Sequence, residues 1–341
     1  MSHLIDSLLG RVAGGGNLSF DEMSDSIDAI MRGEWSEDEI GLLLTALAAK
    51  GETVDEIAGA AAAMRRHMTP IRSRHAEVLD TCGTGGGNSK MFNVSTTAAI
   101  VAAAAGVPVA KHGNRSITSR SGSADVLTEL GVNINASVAQ VEACLDELGI
   151  CFCFAPLMHP AMKHVASVRK KLGIRTIFNV LGPLVNPAGA CYQLLGAGRP
   201  ELLPLLAGAL VRLGTKRSVV VSGEDGLGDV TLAGTTYVTE VADRGMREFT
   251  WQPEDFGIAR QSLDGLMIES PAESAVLIRK LLAGERGSTR DIVVLNAAAG
   301  LLVAGREAKP QAAAERAGEA IDSGAAEELL GRLAARSHGA A

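Results

Sequence analysis

Up to about residue 70, apolar positions recur at helical spacing, and three of the runs open on one polar signature: Ser19 with Glu22, Ser36 with Glu39, and Thr53 with Glu56. A Ser or Thr at the cap with Glu three residues later satisfies two orphan donors of a first helical turn, so each pair marks a helix start. Gly33 and Gly51 separate the runs and the Thr69-Pro70 step ends them. The pattern predicts a small all-helical domain over residues 1–70.

From Val78 onward short apolar runs alternate with helical ones. Strands are predicted at 78–79, 107–110, 151–154, 218–221 and 291–295, each leading into a polar or Gly-rich loop. That order favours a largely parallel sheet covered by helices, an α/β domain over residues 71–341. The run 159–171 is helical and basic, broken by Gly173 and Pro183. From Glu307 the Ala-rich chain has helical spacing with mixed charge, which predicts surface packing without chemistry.

Composition narrows the class. A chain of 341 residues buries a large core and accommodates two domains. Its formal charge of -7 provides no broad positive field for nucleic acid or an anionic membrane. Five cysteines, odd in number and without a CxxC pair, predict reduced residues in a cytoplasmic protein. Cys82, beside a glycine loop, is either a packed thiol or a reactive one. No secretion signal or bilayer-spanning stretch is expected.

The chemistry concentrates in residues 80–123. Gly83, Gly85, Gly86 and Gly87 permit close backbone approach, and Asn93, Val94, Ser95 and Thr96 open a helix whose positive end faces the same region. After the next strand come Lys111, His112, Gly113, Asn114, Arg115, Ser116, Ile117, Thr118, Ser119 and Ser123, a supply of cations and hydroxyls at a sheet edge. Alone, GTGGG also suits an ordinary turn, and KHGNRS a solvated basic one. Two such loops after successive strands point to one large anion held from both sides, such as a polyphosphate sugar. His159 and His164 lack a third ligand for a zinc-type set.

On the segments DTCGTGG, FNVST, VAKHGNRSITSRSGSADVL, FAPLMHPAMKHVASVRKKLGIRTIFNVLGPLVNP and DGLGDVTL, the chain resembles the anthranilate phosphoribosyltransferases, to about residue 300. The resemblance implies a nucleoside phosphorylase/phosphoribosyltransferase-like (class IV phosphoribosyltransferase) fold, with the 160–190 segment joined to the helical domain and the site between the two. It implies phosphoribosyl pyrophosphate (PRPP) and anthranilate as substrates, a homodimer, and magnesium. The PRPP loops would be those above, and anthranilate would meet Gly83, His112, Asn114, His159 and Arg169, whose guanidinium suits a carboxylate. Asn179 and the loop 182–187 match the family segment that closes over the substrate channel.

The metal region departs from the family pattern. Ser95 stands at the family's metal-binding serine, but the family's DGLDE segment is Asp225-Gly226-Leu227-Gly228-Asp229 here, so Gly228 replaces an Asp and Asp229 a Glu. Gly87 and Met91 likewise stand where the family has Asp and Thr. The expectation is one magnesium ion, carried mainly by the substrate near Ser95 and Asp229, with the second site weakened or lost. Two other readings stand beside the transfer of phosphoribose to anthranilate: pyrimidine nucleoside phosphorolysis, and a non-catalytic paralogue binding nucleic acid.

Overall fold

The computed structural model describes residues 2–85, 90–116 and 119–339. Four helices come first: α1 (Ser2–Ala13), α2 (Phe20–Met31), α3 (Glu37–Lys50) and α4 (Val54–His67). The three expected capping boxes are formed at α2, α3 and α4. Glu56 does more than cap: its fully buried carboxylate also accepts from Leu18 N (2.9 Å) and pairs with Lys50 Nζ (2.7 Å). One side chain thereby ties the approach to α2 to the end of α3.

Seven strands follow, β1 (Leu79–Gly83), β2 (Val109–Gly113), β3 (Ile150–Phe154), β4 (Tyr192–Gly196), β5 (Arg217–Gly223), β6 (Thr236–Ala242) and β7 (Gly245–Trp251). Their spatial order is β3-β2-β1-β4-β5-β6-β7. The pairs from β3 to β5 are parallel and the last two antiparallel. Interleaved are α5 (Val94–Ala104), α6 (Ser123–Glu129), α7 (Val138–Leu148), α8 (Ala155–Met158), α9 (Lys163–Leu172), α10 (Phe178–Leu181) and α11 (Leu203–Leu213). The chain ends with α12 (Pro271–Leu282), α13 (Ser288–Val303), α14 (Pro310–Asp322) and α15 (Ala325–Ser337).

Strand alternation divides the interior in two. Leu194, Val219, Val221 and Val238 enter a core with α5 and α13, whereas Leu195, Val220 and Val241 enter a second core with the N-terminal helices. Val165 and Val168 of α9, Phe178 and Leu181 of α10, and Leu206 and Leu210 of α11 complete that second core. The N-terminal bundle therefore packs directly on one face of the sheet. Each fully buried aliphatic side chain there contributes about 1.5–3 kcal/mol.

Several elements differ from the sequence expectation. The apolar run 291–295 lies inside α13, a helix buried from Ile292 to Val303, not in a strand. An apolar run buried on every side shows neither period, and β-branched Ile292, Val293 and Val294 favour the wrong assignment. Strands β4, β6 and β7 carried no expectation. The C-terminal segment from Glu307 is core: Ala313, Ala317, Ile321, Leu330 and Leu333 are buried, and Arg316 donates twice to Ala105 O (3.0 and 2.7 Å). The basic run 159–171 is split, with a 3-10 turn at Pro160–Met162 before α9. Among the described residues no helix is long and apolar enough to cross a membrane.

Candidate active site

The carboxyl ends of the parallel strands build the site. Gly83 of β1 pairs with Gly196 of β4, and Gly113 of β2 with Phe154 of β3, while Leu79 is level with Val109. The glycine loop and the KHGNRS loop thus leave adjacent strands at one edge, where open α/β sheets bind ligands. Gly86, Gly87, Ile117 and Thr118 lie outside the described residues.

The loop after β2 is shaped by its own side chains. Asp125 accepts from Ser116 N (2.9 Å), Gly122 N (3.0 Å) and Arg115 Nη1 (2.9 Å). Arg115 is therefore already paired. Asn114 Oδ1 accepts from Arg115 N (2.7 Å), and Ser123 Oγ donates to Asn114 O (3.3 Å). Ser116 and Ser119 join hydroxyls at 2.7 Å. Gly122 is required here, since a Cβ would lie 2.3 Å from Ser116 N.

Helix α5 points its start at the same edge. Val94 N is satisfied by Phe92 O (2.8 Å), but Asn93 at the cap position makes no side-chain bond to the helix. The next N–H groups, of Ser95 and Thr96, fall in the turn that an α-helix leaves without internal partners. In α2, α3, α4 and α7 a side chain closes this position. Asn93 instead bonds Ser121 and Ser274, so the donors left for an anion are the N–H groups of Ser95 and Thr96. Ser95 is half-buried, and its carbonyl accepts from Thr81 Oγ1 (2.9 Å).

Beneath the loops lie two buried charges of opposite sign, Lys111 and Asp80. Lys111 is 4% exposed and donates to Thr81 O. Asp80, fully buried, accepts from His112 N (3.1 Å) and Asn186 Nδ2 (2.8 Å). Burial pushes Asp80 up and Lys111 down, and each holds the other's charge against that push. Cys82 shares this pocket, and burial raises its thiol well above the ordinary range, so it packs and does not react. Asn186 also donates to Ala110 O (2.7 Å), which pins the 182–187 loop to the sheet edge; it is an anchored strap.

Two histidines fix that strap further. His112 Nδ1 donates to Gly182 O (3.1 Å), and His112 Nε2 meets His159 Nε2 at 3.2 Å, with ring centroids 5.0 Å apart. A carbonyl has no proton, so His112 carries hydrogen on Nδ1 and, while neutral, none on Nε2. Burial and then His159 hold His112 down at about 3, and burial holds His159 at about 4. Both rings are neutral at neutral pH. Their polar atoms serve each other and the strap, so an aromatic substrate would meet ring faces and edges.

Arg169 is a half-buried cation. Its guanidinium stacks over Phe178 of α10 at 5.6 Å, and burial lowers its pKa. Among the described residues it has no carboxylate partner. Its neighbours on α9, Ser167 and Lys171, both bond Glu37. Helix α10 ends one residue before Gly182, which links Arg169 to the histidine pair.

Asp229 closes the site from the β5 side. Its carboxyl is raised to about 7 by burial, against the pull of Lys111 and with a push from Asp225. The loop bearing it touches the end of β4 so closely that a Cβ on Gly196 would lie 1.6 Å from Gly228 O. At Gly228 a Cβ would lie 3.3 Å from Gly198 N, so the family's Asp enters only if the loop gives by a few tenths of an ångström. Among the described residues no three His, Cys, Asp or Glu side chains converge on a metal position. The hydroxyl of Ser95 and the carboxylate of Asp229 are hard oxygen donors, which fits magnesium brought in by a phosphate substrate.

Sequence reasoning gave no role to Asp80, Ser121, Ser274 and Gly196, and took Asn186 only as part of the 182–187 loop. Asp80 carried a signal, a carboxylate inside an otherwise apolar strand, and Gly196 none beyond being glycine. Ser274 lies 181 residues from Asn93 and nothing local marks it.

Comparison with known proteins follows the same division. Residues 6–68 match the family model described as glycosyl transferase family, helical bundle domain, and residues 75–327 that of the glycosyl transferase family, a/b domain. An anthranilate phosphoribosyltransferase of Rhodopirellula baltica is 50% identical over 321 residues, 94% of each chain. That of Moorella thermoacetica is 46% identical over 332 residues, 97% of this chain and 98% of its own. The crystal structure of the Thermus thermophilus enzyme matches with a TM-score of 0.91 at 44% identity, over 97% of this chain and 99% of that one. The Saccharomyces cerevisiae enzyme in complex with PRPP and Mg matches at 0.90 with 28% identity, over 99% of both. Identity sustained along nearly the whole length, on a backbone that follows theirs from the bundle to the sheet, makes this chain a member of the anthranilate phosphoribosyltransferase family.

Proposed function

We propose that the protein transfers the phosphoribosyl group of 5-phospho-α-D-ribose 1-diphosphate to the amine of anthranilate, giving N-(5-phosphoribosyl)anthranilate and pyrophosphate. This is the second step of tryptophan biosynthesis from chorismate. The observation that carries it is Arg169: a half-buried guanidinium without a counter-charge, stacked on Phe178, calls for an anionic planar ligand. The open start of α5 supports a phosphate-rich partner across the same edge.

In this reading the amine nitrogen attacks C1′, the bond from C1′ to pyrophosphate oxygen breaks, and the ammonium proton leaves to solvent. No acid or base is required, because the aromatic amine is already neutral. Orientation by Arg169 and Asn114 supplies about 7–11 kcal/mol of the acceleration. Amides at Gly83 and at the start of α5, with hydroxyls of Ser95, Ser116, Ser119 and Ser123, hold the developing negative charge. Lys111 contributes its field from below. One magnesium ion would be held by Ser95, Asp229 and the substrate itself, and when bound it neutralises charge on the leaving pyrophosphate.

The division at residue 70, the 160–190 segment's place in the helical unit, and a cytoplasmic homodimer belong to the same proposal. Exposed Leu42 on α3 (61%) suits an interface on the bundle. The test is direct: anthranilate fluorescence must fall when purified protein meets PRPP with magnesium. Release of a free pyrimidine base from a nucleoside, driven by inorganic phosphate, would favour phosphorolysis instead.

A further inference from the structure

Asn93 stands where an asparagine ordinarily accepts from the N–H groups of its own helix, yet it makes no such bond. Its carboxamide is held elsewhere. Ser121 Oγ donates to Asn93 Oδ1 at 2.7 Å and Ser274 Oγ donates to the same oxygen at 2.8 Å. In return Asn93 Nδ2 donates to Ser121 O (3.1 Å) and Asn93 N to Ser274 Oγ (3.1 Å). A carboxamide oxygen has two lone pairs, and both are taken. Ser274 is wholly inaccessible and Ser121 buried. Around them Phe92 N donates to Leu266 O (3.0 Å) and Ile268 N to Lys90 O (2.8 Å), so the 266–274 segment braces this stretch from behind.

We propose that Ser274, acting with Ser121, is a positioning residue for the phosphosugar: by occupying both lone pairs of Asn93 Oδ1, the two serines keep the first turn of α5 open to an anion. The inference rests on the reading of α5 as part of the PRPP site. Without one serine hydroxyl a lone pair is freed, and the carboxamide turns to cap its own helix in competition with phosphate. The cap then restores stability while binding suffers. A serine with a structural role alone would show the reverse.

Steady-state kinetics of the full-length protein separate the two. Ser274→Ala is expected to raise KM for PRPP about fivefold, the ratio that one hydrogen bond of typical net worth represents. KM for anthranilate should stay within about twofold. Ser121→Ala should act in the same direction, and it carries the test if Ser274→Ala does not fold. Ser270→Ala is the control, because Ser270 caps α12 by accepting from Glu273 N (3.2 Å) and makes no bond to Asn93. It should lower Tm without moving KM for PRPP. In an Asn93→Ala background, Ser274→Ala should add nothing. An unchanged KM for PRPP in both serine variants, an equal rise for both substrates, or additive effects with Asn93→Ala would overturn the inference. A wild-type protein showing no PRPP-dependent turnover would instead sink the proposed function.

Discussion

Acidification should unfasten the strap over the sheet edge, and the histidine pair sets how much stability is lost. His112 and His159 each start from an ordinary value of 6.5 and are held at about 3 and about 4 in the folded protein. A depressed imidazole is neutral in the fold while the unfolded chain takes up a proton first, so its contribution is intact above pH 6.5 and drains away as pH falls toward 4. At pH 5 linkage gives about 2 kcal/mol per ring, about 4 kcal/mol for the pair before their mutual contact is counted. Lys111 and Asp80 surround the pair from β1 and β2, and the raised Asp80 and Asp229 work the other way, gaining stability as pH falls. The difference between proteins is therefore the clean observable. Urea unfolding of wild type and of His112→Gln/His159→Gln at about pH 8 and about pH 5 should show the wild type losing about 4 kcal/mol more than the variant. A difference independent of pH, or wild type gaining on the variant in acid, would refute the neutral, buried assignment.

Other outcomes follow from the same geometry. Arg169→Ala should raise KM for anthranilate by about ten- to a hundredfold, the worth of a charged hydrogen bond, with little change for PRPP; the opposite split in initial-rate kinetics would remove Arg169 from the site. Lys111→Ala should weaken PRPP use and also lower stability, because the buried Asp80 loses the positive charge that opposes its desolvation; calorimetry checks the second part. Gly196→Ala should destabilise by more than about 4 kcal/mol, since backbone stands where its methyl must go; near-normal melting would show that the 225–229 loop yields. Rate against magnesium concentration should fit one ion and respond to Asp229→Ala, while Gly228→Asp should sharpen it; two-ion dependence lost with Asp229→Ala and unaffected by Gly228→Asp would contradict the single-ion reading.

The sequence disclosed what local chemistry dictates. Ser19, Ser36 and Thr53 announce their helices because a capping box is complete within four residues, and Gly83 and Gly113 end their strands within one residue of polar loops. It hid what depends on distance or on full burial. The 291–295 run gives no period because α13 is enclosed on all sides, and β7 shows little alternation because most of it faces solvent. The candidate site divides the same way: Lys111 and Asn114 stand in a recognisable run, whereas the diversion of Asn93 needs Ser274, and the neutrality of His112 needs burial beside His159, forty-seven positions away.

The second core has a practical consequence for dissection of the molecule. Leu43, Leu44 and Ile57 are covered by side chains from α9, α10 and α11, which the chain supplies only after three strands of the sheet for the first two and four for the last. A fragment ending at the Thr69-Pro70 step would expose that apolar seam to water and is expected to aggregate on expression. Melting of the intact protein should accordingly proceed as one event, with neither half surviving the other.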